Sequence, residues 1–315
     1  MSANAAVAPA IVATAANTEN RGHRLRVMAG YIVVVCVTLA LAIYGFDYYT
    51  LSTADRPFSP KHAILRPSGS IGLKLGFLGL AMFFTIFLYP LRKHWTWLGR
   101  IGSSRHWLDY HVILGIWAPF VIAFHSSFKF HGFAGMAFWI MLSVSLSGVI
   151  GRYLYSQIPR SLNAAEISRK ELKERQERLA TQLHQQKLLP EADLRALLHL
   201  PSEETVAKLP MLVALAWMMS LDVTRAFRIA KVRRHALGFG EKLTTLGGFL
   251  RTRHRELESG IALAQDDASS AKKILFLDRA EQVFNLWHVV HKPFSYSFAV
   301  LALIHIGVVI AMGYF

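Results

Sequence analysis

The sequence predicts an all-α protein: a polytopic membrane helical bundle of about five transmembrane helices with a helical cytoplasmic insertion. Three observations carry that prediction. Hydrophobic residues make up 53% of the 315-residue chain and charged residues only 17%, whereas a soluble domain carries nearer a quarter of charged residues. The apolar residues are gathered into long uncharged runs close to the roughly 20 residues that cross a hydrocarbon core. Between those runs the pattern is helical, and no stretch alternates apolar and polar residues as a half-buried strand does.

The elements follow in order. Residues 1–26 are rich in alanine and poor in charge, which suggests a disordered N-terminal arm. Arg21, Arg24 and Arg26 end it and precede a long apolar run with no small-residue cleavage site, so this is an anchor rather than a signal peptide. The first span is Val27–Phe46. Leu75–Leu91 is the second, with Lys74 able to snorkel at its edge. Tyr110–Phe128 and Gly132–Gly151 are the third and fourth, so residues 27–155 hold transmembrane helices 1–4. Pro293–Phe315, within 288–315, is the fifth. Leu209–Leu221 is too short to cross and leads straight into Asp222, Arg225 and Arg228, as a buried or interfacial helix would.

Residues 156–287 form the insertion. Asn163-Ala-Ala-Glu166 and Ser168-Arg-Lys-Glu171 have capping-box spacing. The run Lys170–Lys187 alternates acids and bases as a solvated helix face does, or as a partner-docking face could. Pro190 and Pro201 open short helices. Leu209–Arg234 reads as a longer helix whose end, Lys231-Val-Arg-Arg234, suits anionic lipid heads. Gly238–Gly240 is a break. It lacks the strand and third glycine of a dinucleotide fingerprint, and no phosphate-binding Gly-Lys-Ser/Thr loop occurs.

Charge sets the expected orientation. Five spans put the termini on opposite sides. One side then carries 30 of the 35 Lys and Arg residues and the other only Arg56, Lys61, Arg66 and Lys129. The positive-inside rule places the N-terminus and the 156–287 insertion in the cytoplasm and the C-terminus outside the cell (inner) membrane. The net charge of +15 is thereby explained by membrane lipid and orientation, with no nucleic-acid partner. The single cysteine, Cys36, excludes an intrachain disulfide and a Cys-ligated cluster, which leaves the histidines as the main metal ligands.

Five histidines lie in or beside the spans: His111, His125, His288, His291 and His305. A histidine at membrane depth suggests function by default, although a single one often only bonds helix to helix. The spacing is more telling. His111 to His125 and His291 to His305 are both 14-residue steps. Fourteen steps of about 100° make four turns less about 40°, so the members of each pair share a helix face about 21 Å apart along the axis. The third and fifth spans run in the same direction, so two pairs of imidazoles face each other at matched depths. A planar macrocycle between each pair would have two axial nitrogen ligands, a site of the kind built in bundle cores. Pro293 follows His291 and could kink the helix, letting His288 replace His291.

The segments His111-Val-Ile-Leu-Gly-Ile-Trp and Phe124-His125-Ser-Ser-Phe, with Leu301-Ala-Leu-Ile-His305 opposite, resemble the ferric reductase-like transmembrane domain. Ser147-Gly-Val-Ile-Gly-Arg-Tyr-Leu-Tyr-Ser-Gln-Ile-Pro-Arg160 is similar to a group of bacterial di-haem b-type membrane cytochromes. The resemblance covers roughly residues 71–160 and 285–315. It implies two b-type haems, with His111, His125, His291 and His305 as cofactor-binding ligands to the haem iron, and an oxidoreductase electron-transfer role. The reductases of that family continue into a flavin and nicotinamide domain that does not follow the last span here. The implied donor or acceptor is therefore a cytoplasmic redox partner protein or a quinone. Two other readings stay open: a single-haem, quinone-reactive cytochrome b with a site near Trp95, Trp97, Arg100 or Lys292, and a non-enzymatic scaffold whose histidines only pack.

Overall fold

The structure, a computed structural model, describes residues 4–158, 173–174, 176–182 and 189–313, with side chains from Gly22 onward. It is 81% helical, with no strand among the described residues. In chain order its helices are α1 (Asn4–Tyr49), α2 (Ser70–Leu91), α3 (Ser104–His125), α4 (Gly132–Gln157), α5 (Glu191–Leu198), α6 (Glu203–Lys208), α7 (Met211–Ala236), α8 (Phe239–Thr244) and α9 (Arg255–Ala311). Single helical turns lie at His62–Leu65 and Thr96–Gly99. Five helices are long and apolar enough to cross a bilayer: α1, α2, α3, α4 and α9. Two compact units result. One is Met1–Arg152 with Val290–Phe315, and the other is Tyr153–Val289.

The first unit is held by a spine of Leu75, Met82, Val121, Phe124, Phe138 and Met141 from α2, α3 and α4. Gly72 and Gly76 are four residues apart on α2, and Gly79 continues the row. A Cβ at Gly79 would lie 2.5 Å from Ile122 Cδ1, so this small-residue face is what lets α2 and α3 approach closely. On their outer surfaces Ile43 and Phe46 of α1 and Val300 and Leu303 of α9 are exposed, as lipid-facing side chains are. The loop after α3 turns through Ser127 and Phe128, both at positive φ (50° and 59°). Buried Arg56 fastens it by donating to the carbonyls of Ser127, Tyr49 and Leu51. Ser127 Oγ donates to Leu65 O at 2.7 Å.

Several boundaries differ from the sequence-based expectation. The arm expected to be disordered is helical from Asn4, continuous with the first span; its alanines are the strongest helix formers. The fourth span runs on to Gln157. The fifth is the end of a 57-residue helix that passes through Pro293 unbroken. Proline removes one ladder bond there, a loss that spanning helices tolerate where neighbours and Ser side chains re-satisfy the backbone. The carbonyl left without its N–H is that of Val289, and one turn on Ser295 Oγ adds a second bond to His291 O at 2.7 Å.

In the second unit, Leu197, Ile229, Val232, Ile261 and Ala264 join α5, α7 and α9 in one core. α5 follows Pro190. α6 is capped by Ser202, whose side chain accepts from Thr205 N, so Pro201 sits one residue outside the cap. α7 ends at Ala236, before the expected glycine break. Residues 176–182 of the charged run are helical; the capping boxes at Asn163 and Ser168 lie outside the described residues. A buried polar pin crosses this unit: Lys272, 1% exposed, reaches both carboxylate oxygens of Asp222 at 2.5 Å, and Tyr153 Oη donates to the same carboxylate at 2.7 Å.

Candidate functional site

α2 and α3 are antiparallel, and their register is fixed by two imidazoles. His125 Nδ1 donates to Gly72 O at 2.8 Å, and His111 Nδ1 donates to Ile86 O at 3.1 Å. A carbonyl can only accept, so each ring carries a proton on Nδ1. Gly72 and Ile86 are themselves 14 residues apart, the same step as His111 to His125. The face of α2 thus carries an acceptor at each histidine level.

A helical carbonyl ordinarily serves the N–H four residues on, and at both levels that residue is unusual. Four beyond Gly72 is Gly76. A Cβ there would lie 2.8 Å from His125 Cε1 and 3.0 Å from its Nδ1, so glycine opens the cradle in which the ring rests. Four beyond Ile86 is Pro90, inside the helix. Proline has no N–H to give, and the Ile86 carbonyl is released for His111.

His291 is held from α4. Ser147 Oγ donates its proton to Val144 O at 2.8 Å, which leaves its oxygen to accept from His291 Nδ1, also at 2.8 Å. Gly148 lies beneath this ring, where a Cβ would sit 3.7 Å from His291 Cε1. Arg152 of α4 donates to Asp109 of α3 at 2.6 Å, so Ser147 with His291 lies toward the His111 end of the bundle. His305 lies at the other end, near His125. Phe298 packs on Phe83 with ring centroids 5.9 Å apart. The step from Phe298 to His305 therefore climbs from the middle of α2 toward its start, and α9 runs parallel to α3 as the spacing argument required. His288 belongs to the second unit, its ring against Phe284 and Trp287 and its Nδ1 donating to Phe284 O at 3.3 Å.

What the arrangement offers chemically is a set of oriented imidazoles. Among the described residues no three His, Cys, Asp or Glu side chains cluster as a metal-ion site. His111, His125 and His291 all have their Nδ1 engaged, which fixes each ring's rotation as it is fixed in metal-ligating histidines and in histidines that bond helix to helix alike.

Sequence reasoning missed the parts that aim these rings: Gly72, Gly76, Ile86, Pro90, Ser147 and Gly148. Pro90 was the one readable signal, a proline four residues beyond a possible acceptor. Half-buried His106 stacks on buried His23 with centroids 3.7 Å apart. His23 Nε2 meets Asp109 at 2.9 Å. Comparison of the chain with family models, curated proteins and solved structures finds no match.

Proposed function

We propose that this protein is a membrane electron-transfer subunit that binds two b-type haems between α3 and α9, His125 with His305 at one level and His111 with His291 at the other. The observation that carries this reading is the doubled device on α2: two carbonyls 14 residues apart, each holding an imidazole by Nδ1. Haem iron would supply reversible one-electron chemistry there. The chain's own part is to fix each ring's rotation through its Nδ1–H and to surround both levels with apolar side chains that exclude water. Two levels about 21 Å apart would carry electrons across most of a hydrocarbon core about 30 Å thick. The electrons pass to or from a cytoplasmic redox partner protein or a quinone. The N-terminus and the 156–287 insertion lie in the cytoplasm and Phe315 outside the inner membrane, so reporter fusions at residues 180 and 315 give opposite results.

The test is the reduced-minus-oxidised visible spectrum of purified protein, with haem counted per chain. Two haems are expected. His125→Ala and His305→Ala remove the same spectral component, His111→Ala and His291→Ala the other, and His288→Ala removes neither. Loss of haem in His288→Ala with retention in His291→Ala would move the ligand by one turn. One haem per chain would favour the single-haem cytochrome. No haem, in protein expressed with ample haem, would leave the scaffold reading, in which the same hydrogen bonds only pin helices together.

A further inference from the structure

A cleft of about 520 Å³ opens in the second unit between α7, the loop that follows α8, and α9. It lies within the 300–1,000 Å³ range of small-molecule sites. Its charged lining is Arg225, Arg233, Arg251, Asp222 and Asp266, and Phe249 forms an apolar wall.

The pairing of these charges is unequal. Both oxygens of Asp222 are taken by Lys272. Arg233 is saturated: Nε and Nη2 donate to the two oxygens of Glu258, each at 2.8 Å, and Nη1 donates to the carbonyls of Gly248 and Phe249. Arg225 is different. It is only 7% exposed, yet Nη1 stands 3.7 Å from Asp222, beyond hydrogen-bond reach, and Nη2 donates to Ala268 O at a long 3.3 Å. Most of its five donors are unspent. Burial pushes its pKa down from the usual arginine value and Asp222 restores only part of it; the guanidinium remains charged at any working pH. Asp222 is its ion-pair partner at 3.7 Å, and the unbonded guanidinium nitrogens are not sealed from water, so they open on the cleft where an anion can meet them. Arg251 stands exposed at the mouth, and Asp266 is exposed on the rim, where solvent screens its repulsion far more than it screens a buried charge.

We propose that this cleft binds the phosphomonoester of an organic anion, with the phosphate on Arg225, Arg251 closing over it, and the organic part against Phe249. Two cations match one dianion, and guanidinium forks match phosphate oxygens in geometry as well as charge. Such a group could come from a soluble phosphomonoester or from the headgroup of phosphatidic acid.

The full chain, purified in detergent, is titrated calorimetrically with glycerol phosphate, with choline as a cationic control. Separately, its thermal stability is compared in nanodiscs of phosphatidylcholine with and without phosphatidic acid. Saturable glycerol phosphate binding is expected, weakened about tenfold or more in Arg225→Gln and Arg251→Glu, as the loss of a charge-assisted bond implies, and strengthened in Asp266→Asn. That result identifies a soluble ligand. No response to glycerol phosphate, but stabilisation by phosphatidic acid that Arg251→Glu abolishes, identifies the headgroup. Arg251 and Asp266 are exposed, so their variants keep the test open even if Arg225→Gln does not fold. Wild type and Arg251→Glu responding alike in both arms, no response in either, or binding of choline instead, would each overturn the proposal.

Discussion

Replacing Gly76 by alanine adds one methyl group at the point where α2 meets His125. The new Cβ would lie 2.8 Å from the ring's Cε1, against 3.4 Å or more in ordinary contact, so the imidazole must retreat by at least about 0.6 Å. Its bond to Gly72 O, 2.8 Å in the native protein, is then stretched past about 3.2 Å, the outer edge of a normal N–H···O bond. Losing it costs about 1 kcal/mol, but alanine stabilises a helix interior by about the same amount relative to glycine. The stability of Gly76→Ala should therefore stay within about 1 kcal/mol of wild type while the orientation of His125 is lost. On the proposed reading, the visible spectrum loses or shifts the component that His305→Ala also affects, and the other component is unchanged. Gly148→Ala is the internal control, because its Cβ meets His291 at an ordinary 3.7 Å and both components should survive. Retention of both components in Gly76→Ala, or equal damage in Gly148→Ala, would refute the idea that the close approach at Gly76 is what cradles the His125 ring.

Three further outcomes follow from the same geometry. Pro90→Ala gives the Ile86 carbonyl an N–H of its own, so α2 gains up to about 1 kcal/mol while the bond from His111 weakens; the spectral component shared with His291→Ala should shift as the melting temperature rises or holds, and an unchanged spectrum would mean that the freed carbonyl is incidental. Lys272→Met leaves the Asp222 carboxylate with only Arg225, 3.7 Å away, as a cation; breaking a buried pair costs about 3–5 kcal/mol, and because the Asp222 side chain is 35% exposed the loss should be smaller, about 2 kcal/mol, measured by urea unfolding of the full chain, and no loss would mean that the pair does not hold the unit. Glu258 is subject to burial, which raises its pKa, but the hydrogen bonds from Arg233 and Thr252 win and hold it below the usual carboxylate value; a depressed folded pKa contributes stability above the unfolded value of about 4.3 and loses it as pH falls through the lower folded value, so the stability gap between wild type and Glu258→Gln should close on acidification, and a gap that widened would reverse the assignment.

The five apolar helices were legible because hydropathy needs no knowledge of a neighbour: a run such as Val27–Phe46 is decided by its own composition. Their ends were not. α1 begins at Asn4 and α9 at Arg255, far outside the apolar runs, because helix continues wherever nothing stops it and a span marks only its apolar part. The histidines were legible as a spacing. What aims them was not, because Gly76 and Pro90 acquire meaning only when α3 lies against α2, and Ser147 is 144 positions from the ring it holds. The same limit hid the Lys272–Asp222 pair, 50 residues apart, and the burial of His23, whose partner Asp109 is 86 positions away.

The shared 14-residue step constrains length more tightly than it constrains side chains. An extra residue inserted in α3 between His111 and His125 would turn one ring about 100° from the other and leave Gly72 or Ile86 without its imidazole. No single substitution elsewhere could undo that. On the proposed reading, only a matching insertion in α2 and another in α9, between His291 and His305, would bring both levels back into line. Substitution can therefore proceed almost freely along the lipid-facing surfaces of these three helices, while insertions and deletions between the levels are barred unless all three change together. Distant descendants of this chain are expected to keep three equal intervals long after most of the letters within them have changed.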